Sequence, residues 1–199
     1  MELIFATNNK HKLKEIRNLV SKRVKILSLH EAGITTEIPE DYDTLEENAH
    51  QKAKFIHELT GQNCFADDTG LEVFALGGEP GVYSARYSRM GEIQYPELEI
   101  HQGNINKLLL RLRNIKNRDA QFRTVISLII NKKEYKFEGI ARGTIIEKER
   151  GQEGFGYDPV FQPDGSKLSF AEMSLLEKNR ISHRAKAMEK LINFLNSLE

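Results

Sequence analysis

The chain has 199 residues, 39% of them hydrophobic and 29% charged, which is the range of an ordinary soluble globular protein able to bury a sizeable core. Lysine plus arginine and aspartate plus glutamate both number 29, so the formal net charge is zero and bulk electrostatics call for neither a nucleic-acid nor a membrane partner. The single cysteine, Cys64, excludes an internal disulfide, the apolar run from Thr124 to Ile130 is too short to span a bilayer, and Met1-Glu2-Leu3-Ile4 carries no targeting pattern, so a cytoplasmic protein is expected.

Leu3-Ile4-Phe5-Ala6 reads as a short buried strand. Leu13, Ile16, Leu19 and Val20 then recur at helical spacing, with Asn8 or Asn9 as N-cap. The turn between them, Thr7-Asn8-Asn9-Lys10-His11-Lys12, puts hydroxyl, amide and ammonium groups beside the positive end of a helix. That suits a polyphosphate, and it equally suits a capped, lysine-rich surface helix. Neither GxxxxGK[ST] nor GxGxxG is present.

Val24 to Leu27 predicts a second strand, followed by a polar segment and the acidic loop Glu40-Asp41-Tyr42-Asp43. Thr44 and Glu47 have capping-box spacing, which starts a helix at Leu45. Its buried stripe is Leu45, Ala49, Ala53 and Ile56, leaving Glu47, Asn48 and Lys52 on flanking or exposed faces.

Phe65-Ala66-Asp67-Asp68-Thr69-Gly70-Leu71-Glu72-Val73 is the most informative stretch. Two carboxylates stand among apolar β-formers, where folding alone does not ask for them. The pattern predicts one strand ending at Ala66, a turn or bulge at Thr69-Gly70, and another strand from Leu71 to Phe74, so the pair falls at a strand edge. Carboxylates so placed can bind Mg2+, which shares its oxygen ligands with substrate phosphates, or orient an attacking water. A solvated acidic turn has the same local sequence.

A Gly/Pro-rich loop runs from Leu76 to Tyr83, and Tyr95 to Asn114 predicts a helix with Leu108, Leu109 and Leu112 on its apolar side. Phe122 to Ile130 and Tyr135 to Ile140 predict a hairpin. In Gly151-Gln152-Glu153-Gly154-Phe155-Gly156-Tyr157-Asp158-Pro159, glycines flank an aromatic ring and an acid follows. The ring can stack on a flat base while Asp158 accepts a base N–H, or it can simply pack into the core. Ser174 and Glu177 form a second capping-box spacing. Ser182-His183-Arg184 then opens an amphipathic helix carrying Met188, Leu191, Ile192, Leu195 and Leu198. Cations at a helix start are unusual unless they meet acceptors, and Lys178 lies about one turn earlier.

In order, Ala6-Thr7-Asn8-Asn9 with Lys12, Glu47-Asn48-Ala49 with Lys52, Ala66 to Leu71, Gly77-Gly78 with Pro80 to Arg86, Gly154 to Pro159, and Glu177-Lys178 with Ser182-His183-Arg184 resemble the inosine triphosphate pyrophosphatase family over essentially the whole chain. The resemblance implies an α/β fold spanning residues 1–199 as a single domain, an elongated mixed β-sheet flanked by helices in two lobes with the active cleft between them, and a homodimer. It implies hydrolysis of ITP, dITP and XTP to the monophosphate and pyrophosphate, with Mg2+ as cofactor. Thr7, Asn9, Lys12 and Lys52 would hold the triphosphate, in a substrate-binding turn that includes Asn8, Lys10 and His11, with Thr69 beside the acids. Asp68 would be the proton acceptor and a metal ligand, with Glu40 and Asp67 assisting at the metal. Phe155 would stack on the purine within the Gly156-Tyr157 loop, Asp158 would read its N1–H edge, and Lys178, His183 and Arg184 would contact the base and its 6-oxo group. Maf-like pyrophosphatases are a rival, but their Ser-Pro-Arg-Arg type of loop is replaced here by Thr7 to Lys12. A nucleotide-binding regulator without hydrolysis is the rival from outside the enzymes.

Overall fold

The structure, a computed structural model, describes residues 1–20 and 23–198. Its elements are β1 (Glu2–Phe5), α1 (Lys10–Leu19), β2 (Lys25–Leu27), α2 (Leu45–Thr60), β3 (Cys64–Val73), β4 (Pro80–Gly81), α3 (Ile100–Arg111), β5 (Asp119–Ile130), β6 (Lys133–Ile145), β7 (Phe161–Pro163), α4 (Leu175–Ile181) and α5 (His183–Asn196). The hydrogen-bonded strand order is β2-β1-β3-β5-β6-β7, with β4 added to β3. β1 is parallel to both β2 and β3, whereas β3 with β4 and β6 with β7 are antiparallel, so the sheet is mixed as expected. The chain divides into two compact units, one of Met1–Asp68, Thr124–Gly139 and Ser182–Glu199, the other of Thr69–Arg123 and Ile140–Ile181.

In the first unit the period-2 alternation of strands sorts side chains onto two faces. Leu3, Phe5, Phe65, Ile126 and Leu128 join Ile16 of α1 and Met188 and Leu191 of α5 in one cluster, with the Phe5 and Phe65 rings stacked 4.6 Å apart. Ile4, Ala6, Cys64, Ala66 and Ile129 join Ala53 and Ile56 of α2 in another. Burial on both faces explains why β1 reads as an unbroken apolar run. The second unit has its own core, in which Ile105, Leu108 and Leu112 meet Leu71, Val73, Tyr157 and the rings of Phe122, Phe161 and Phe170.

Several boundaries differ from the sequence expectation, each for a physical reason. β3 is one strand of ten residues that runs straight through Asp67-Asp68-Thr69-Gly70, so the acids lie within a strand. Gly70 marks a close backbone approach rather than a turn, because a Cβ there would sit 2.6 Å from the Gly81 carbonyl oxygen. α3 starts at Ile100 and not at Tyr95, since Pro96 disfavours helix before it and Glu99 caps the His101 and Gln102 N–H groups at 2.8 and 3.3 Å. β5 and β6 are longer than predicted, and the turn between them is Asn131-Lys132, both with positive φ. Thr44 caps α2, as its sequence signal indicates, and Ser182 caps α5.

Candidate active site

In the first unit, the turn after β1 is built from its own polar side chains. Thr7 Oγ1 accepts the Asn9 N–H at 3.1 Å, and Asn9 Oδ1 accepts the His11 and Lys12 N–H groups at 2.9 and 3.1 Å. Asn9 is therefore the N-cap, and two amides expected to face a phosphate are already satisfied by it. What the turn does present is side chains. Asn8, Lys10 and His11 are exposed, while Lys12 reaches inward to place Nζ 2.9 Å from Asp67 Oδ1.

Adjacent residues of a strand point to opposite faces, and this separates the two acids. Asp67 follows Phe65 onto the α1 and α5 side, where its second oxygen accepts Arg184 Nε at 3.1 Å. Arg184 also donates to Glu15, one helical turn beyond Lys12 on α1. Burial opposes ionisation of Asp67, but the Lys12, Arg184 and Lys52 cations overcome it and hold the carboxyl well below the usual carboxylate range.

Asp68 follows Ala66 onto the α2 side. Lys52 Nζ lies 3.1 Å from Asp68 Oδ1 and 2.5 Å from Glu40 Oε1, bridging the two carboxylates. Asn48, one turn earlier on α2, donates to Asp68 Oδ2 at 3.4 Å and to Tyr42 O at 2.9 Å, and accepts the Tyr42 N–H at 2.9 Å. The acidic loop is thereby pinned beside Asp68. Burial raises the Asp68 carboxyl above its ordinary value, with Lys52 and Lys12 opposing and Glu40 adding to the rise. A carboxylate so shifted is a better proton acceptor than a solvated one. Burial disfavours the Lys52 ammonium, but Asp68, Glu40 and Asp67 more than compensate and keep it charged.

The donor set fits Mg2+. That ion usually takes one or two protein carboxylates and completes its octahedron with waters and substrate phosphates. Glu40 and Asp68 are such a pair, and Glu40 keeps 40% of its side chain exposed. Asp67, whose oxygens carry Lys12 and Arg184, stands behind them as a charge partner. Among the described residues no group of three or more His, Cys, Asp or Glu forms a complete cage.

In the second unit the Gly-rich loop folds around one carboxylate. Asp158 Oδ2 accepts the Phe155 N–H at 2.8 Å and Lys178 Nζ at 2.7 Å. Gly154 has φ +77°, and a Cβ on it would collide with the Asp158 carboxylate, so only glycine fits. Phe155 is half-buried, and Lys178 Nζ stands 5.1 Å from its ring centroid. Asp158 and Lys178 are 2% and 3% exposed, so each is the other's counter-charge. Tyr157 is buried and donates its hydroxyl to Ser84 O at 3.0 Å.

The structure thus groups Thr7, Asn9, Lys12, Glu40, Lys52, Asp67 and Asp68 in one unit, and Phe155, Gly156, Tyr157, Asp158 and Lys178 in the other, where Thr69 is half-buried on β3. His183 is buried at the first position of α5. Lys178 and Arg184 are committed to different carboxylates, Asp158 for one and Asp67 with Glu15 for the other. Asn48 and Lys52 are 2% and 4% exposed, which corrects their expected place on flanking faces. Asn48 and Glu15 are the participants that sequence reasoning missed. Asn48 lies one turn before Lys52 and Glu15 adjoins the core residue Ile16, so polar side chains on apolar stripes were the available signal.

Residues 3–194 match the Ham1 family profile. The chain is 48% identical over 197 residues to a dITP/XTP pyrophosphatase of Flavobacterium psychrophilum, covering 99% of this chain and 100% of that one. It is 52% identical over 195 residues to one from Porphyromonas gingivalis, covering 98% and 97%. The solved Ham1 protein of Staphylococcus aureus superposes with a TM-score of 0.86 at 36% identity, over 100% of both chains. With likeness of sequence and fold running from end to end, the chain belongs to the Ham1 family.

Proposed function

We infer that this protein is a nucleoside triphosphate pyrophosphatase that hydrolyses non-standard purine nucleotides, ITP, dITP and XTP, to the nucleoside monophosphate and pyrophosphate, and so cleanses the nucleotide pool. The observation that carries the reading is the buried Asp68 carboxylate set between Lys52 and Asn48, in a chain whose full-length relatives bear the name dITP/XTP pyrophosphatase.

Lys12 and Lys52, with Thr7 and Asn9, bind the triphosphate. Glu40 and Asp68, with Asp67 behind them, would hold a Mg2+ ion, which when bound neutralises charge on the polyphosphate. Asp68 orients a water and takes its proton as the oxygen attacks the α-phosphorus. The bond from that phosphorus to the bridging oxygen breaks, and the electron pair leaves with pyrophosphate. Asn48 keeps Asp68 turned toward this task, and Lys52 offsets the charge of both carboxylates. Phe155 stacks on the purine. Asp158 accepts the N1–H, and the Lys178 ammonium and His183 face the 6-oxo oxygen as donors. Adenine presents an amino donor in that place and leaves such groups unpaired, a strong basis for rejection.

The resemblance further supports a homodimer acting in the cytoplasm; no helix among the described residues is long and apolar enough to cross a membrane. Sedimentation of the purified protein tests the dimer. The reaction is tested by incubating it with ITP, XTP, dITP, ATP and GTP, with and without Mg2+, and measuring both pyrophosphate and orthophosphate. Metal-dependent pyrophosphate from ITP and XTP with little from ATP is expected. Orthophosphate alone would mean attack at the outer phosphate, and tight ITP binding without release would mean a regulator.

A further inference from the structure

The loop bearing Phe155 and Asp158 is tied at both ends. The backbone N–H groups of Gln152 and Glu153 donate to the Ala171 carbonyl at 3.1 and 3.0 Å, and Tyr157 donates its hydroxyl to the Ser84 carbonyl at 3.0 Å. Ser84 is itself fixed from several sides. Its carbonyl also accepts Asn104 Nδ2 from α3 at 3.1 Å, its Oγ accepts the Leu71 N–H of β3 at 2.9 Å, and the same Oγ donates to Gly81 O of β4 at 2.6 Å.

A carbonyl oxygen has two lone pairs, and here the two donors, Asn104 and Tyr157, define where it points. Tyr157 is 3% exposed, so its hydroxyl has no water to turn to if that acceptor moves. Burial also pushes the phenol well above its ordinary value, which keeps it a donor. Tyr157 adjoins Asp158 and stands two residues from Phe155, which lies between Gly154 and Gly156 with φ of +77° and +61°. Glycine leaves this backbone with more freedom than other residues would, so an outside anchor has more to restrain.

We propose that Ser84 is a positioning residue for base selection, setting through the Tyr157 hydroxyl the place at which Phe155 and Asp158 meet a purine. The proposal rests on the nucleotide reading above. Its test compares Tyr157→Phe, which keeps the ring and removes the donor, with Ser84→Ala, which keeps the carbonyl and removes the hydroxyl, and with the double variant. Steady-state kinetics on ITP and ATP are read together with hydrogen exchange of the Phe155 amide.

Each single variant should raise KM for ITP by about three- to tenfold, as expected for one lost hydrogen bond, with kcat within about twofold. The preference for ITP over ATP should fall in step. Because both changes cut one chain of contacts, the double variant should be little worse than the poorer single variant. Ser84→Thr, which restores a hydroxyl, should recover KM, and the Phe155 amide should exchange faster in Tyr157→Phe and Ser84→Ala. An unchanged KM, a fall confined to kcat, or additive losses in the double variant would overturn the proposal. If Ser84→Ala fails to fold, Tyr157→Phe carries the test alone. If the wild-type protein does not turn over ITP, the nucleotide reading fails, and an unchanged Phe155 amide in Tyr157→Phe would then overturn the brace as well.

Discussion

The two units bury charge in different ways. The first collects Lys12, Glu15, Lys52, Asp67, Asp68 and Arg184, all buried but the half-buried Lys12, into ion pairs contributed by α1, α2, β3 and α5. The second buries the pair Lys178 and Asp158 beside an aromatic ring and a glycine-rich backbone. A buried charge is costly unless paired, so under the proposed function cations that receive a polyphosphate need carboxylates opposite them in the protein itself. Under the same reading, a group that receives a neutral base needs far less: a ring face, and a donor and an acceptor held by each other. If the proposed roles hold, chemistry on phosphate and recognition of the base are separable by mutation.

The sharpest break is Asp68→Asn. The amide keeps the shape and can still meet Asn48, but it cannot take a proton. kcat for pyrophosphate release from ITP should fall by about a hundred- to ten-thousandfold while nucleotide binding stays measurable by calorimetry. Near-normal kcat would remove Asp68 from the mechanism and leave the first unit's charges as plain structure.

Arg184→Met tests the pairing itself. Losing the guanidinium takes one cation away from Glu15 and from Asp67, both inside the unit. Breaking a buried pair from one side costs about 3–5 kcal/mol, to be read from urea unfolding. A loss below about 1 kcal/mol would mean that the charges reach water and behave as surface pairs.

How much of this was legible in the sequence differs between the units in the same way. Thr44 and Ser174 announced their helices because a cap is a local device, complete within four residues. The Gly154 to Asp158 loop was legible for the same reason, since Asp158 closes back on the Phe155 N–H three residues away. The role of Asn48 was not legible, because an amide on an apolar stripe gains meaning only from Asp68 and Tyr42, which meet it in three dimensions. The helix start showed only that Arg184 needs acceptors, and the resemblance placed it at the base; its pairing with Asp67 and Glu15, 117 and 169 residues away in the chain, was not legible. Asp67-Asp68-Thr69-Gly70 looked like a turn because solvated acids and glycine favour turns. With Lys12, Arg184 and Lys52 supplying counter-charges and Gly81 packed on Gly70, the strand continues.

On the base side the expected effects are smaller. Phe155→Ala removes the stacking surface and should weaken ITP binding by about 1–3 kcal/mol, measured by calorimetry with a non-hydrolysed analogue. The stability of the protein should change little, since the ring is only half-buried. A large stability loss with unchanged binding would place the ring's work in the core.

The gentlest test sits on β3 itself, where a residue three before Asp67 is buried without any cation. Cys64 lies in the apolar cluster with its Sγ 3.2 Å from Ala53 O, and burial pushes the thiol from an ordinary 9.0 up to about 12. A raised value means that the native state favours the neutral thiol. Its contribution is therefore fully present below pH 9, where the unfolded thiol is also neutral, and is lost as pH rises from 9 toward 12, where only the unfolded form ionises. The loss is about 1.4 kcal/mol per pH unit in that window. Cys64→Ala lacks this dependence, so the stability difference between the two proteins should be constant below pH 9 and should shift steadily against the cysteine form above it. A flat difference throughout would mean that the thiolate finds a counter-charge as Asp67 does, and the contrast between paired and unpaired burial on one strand would fail.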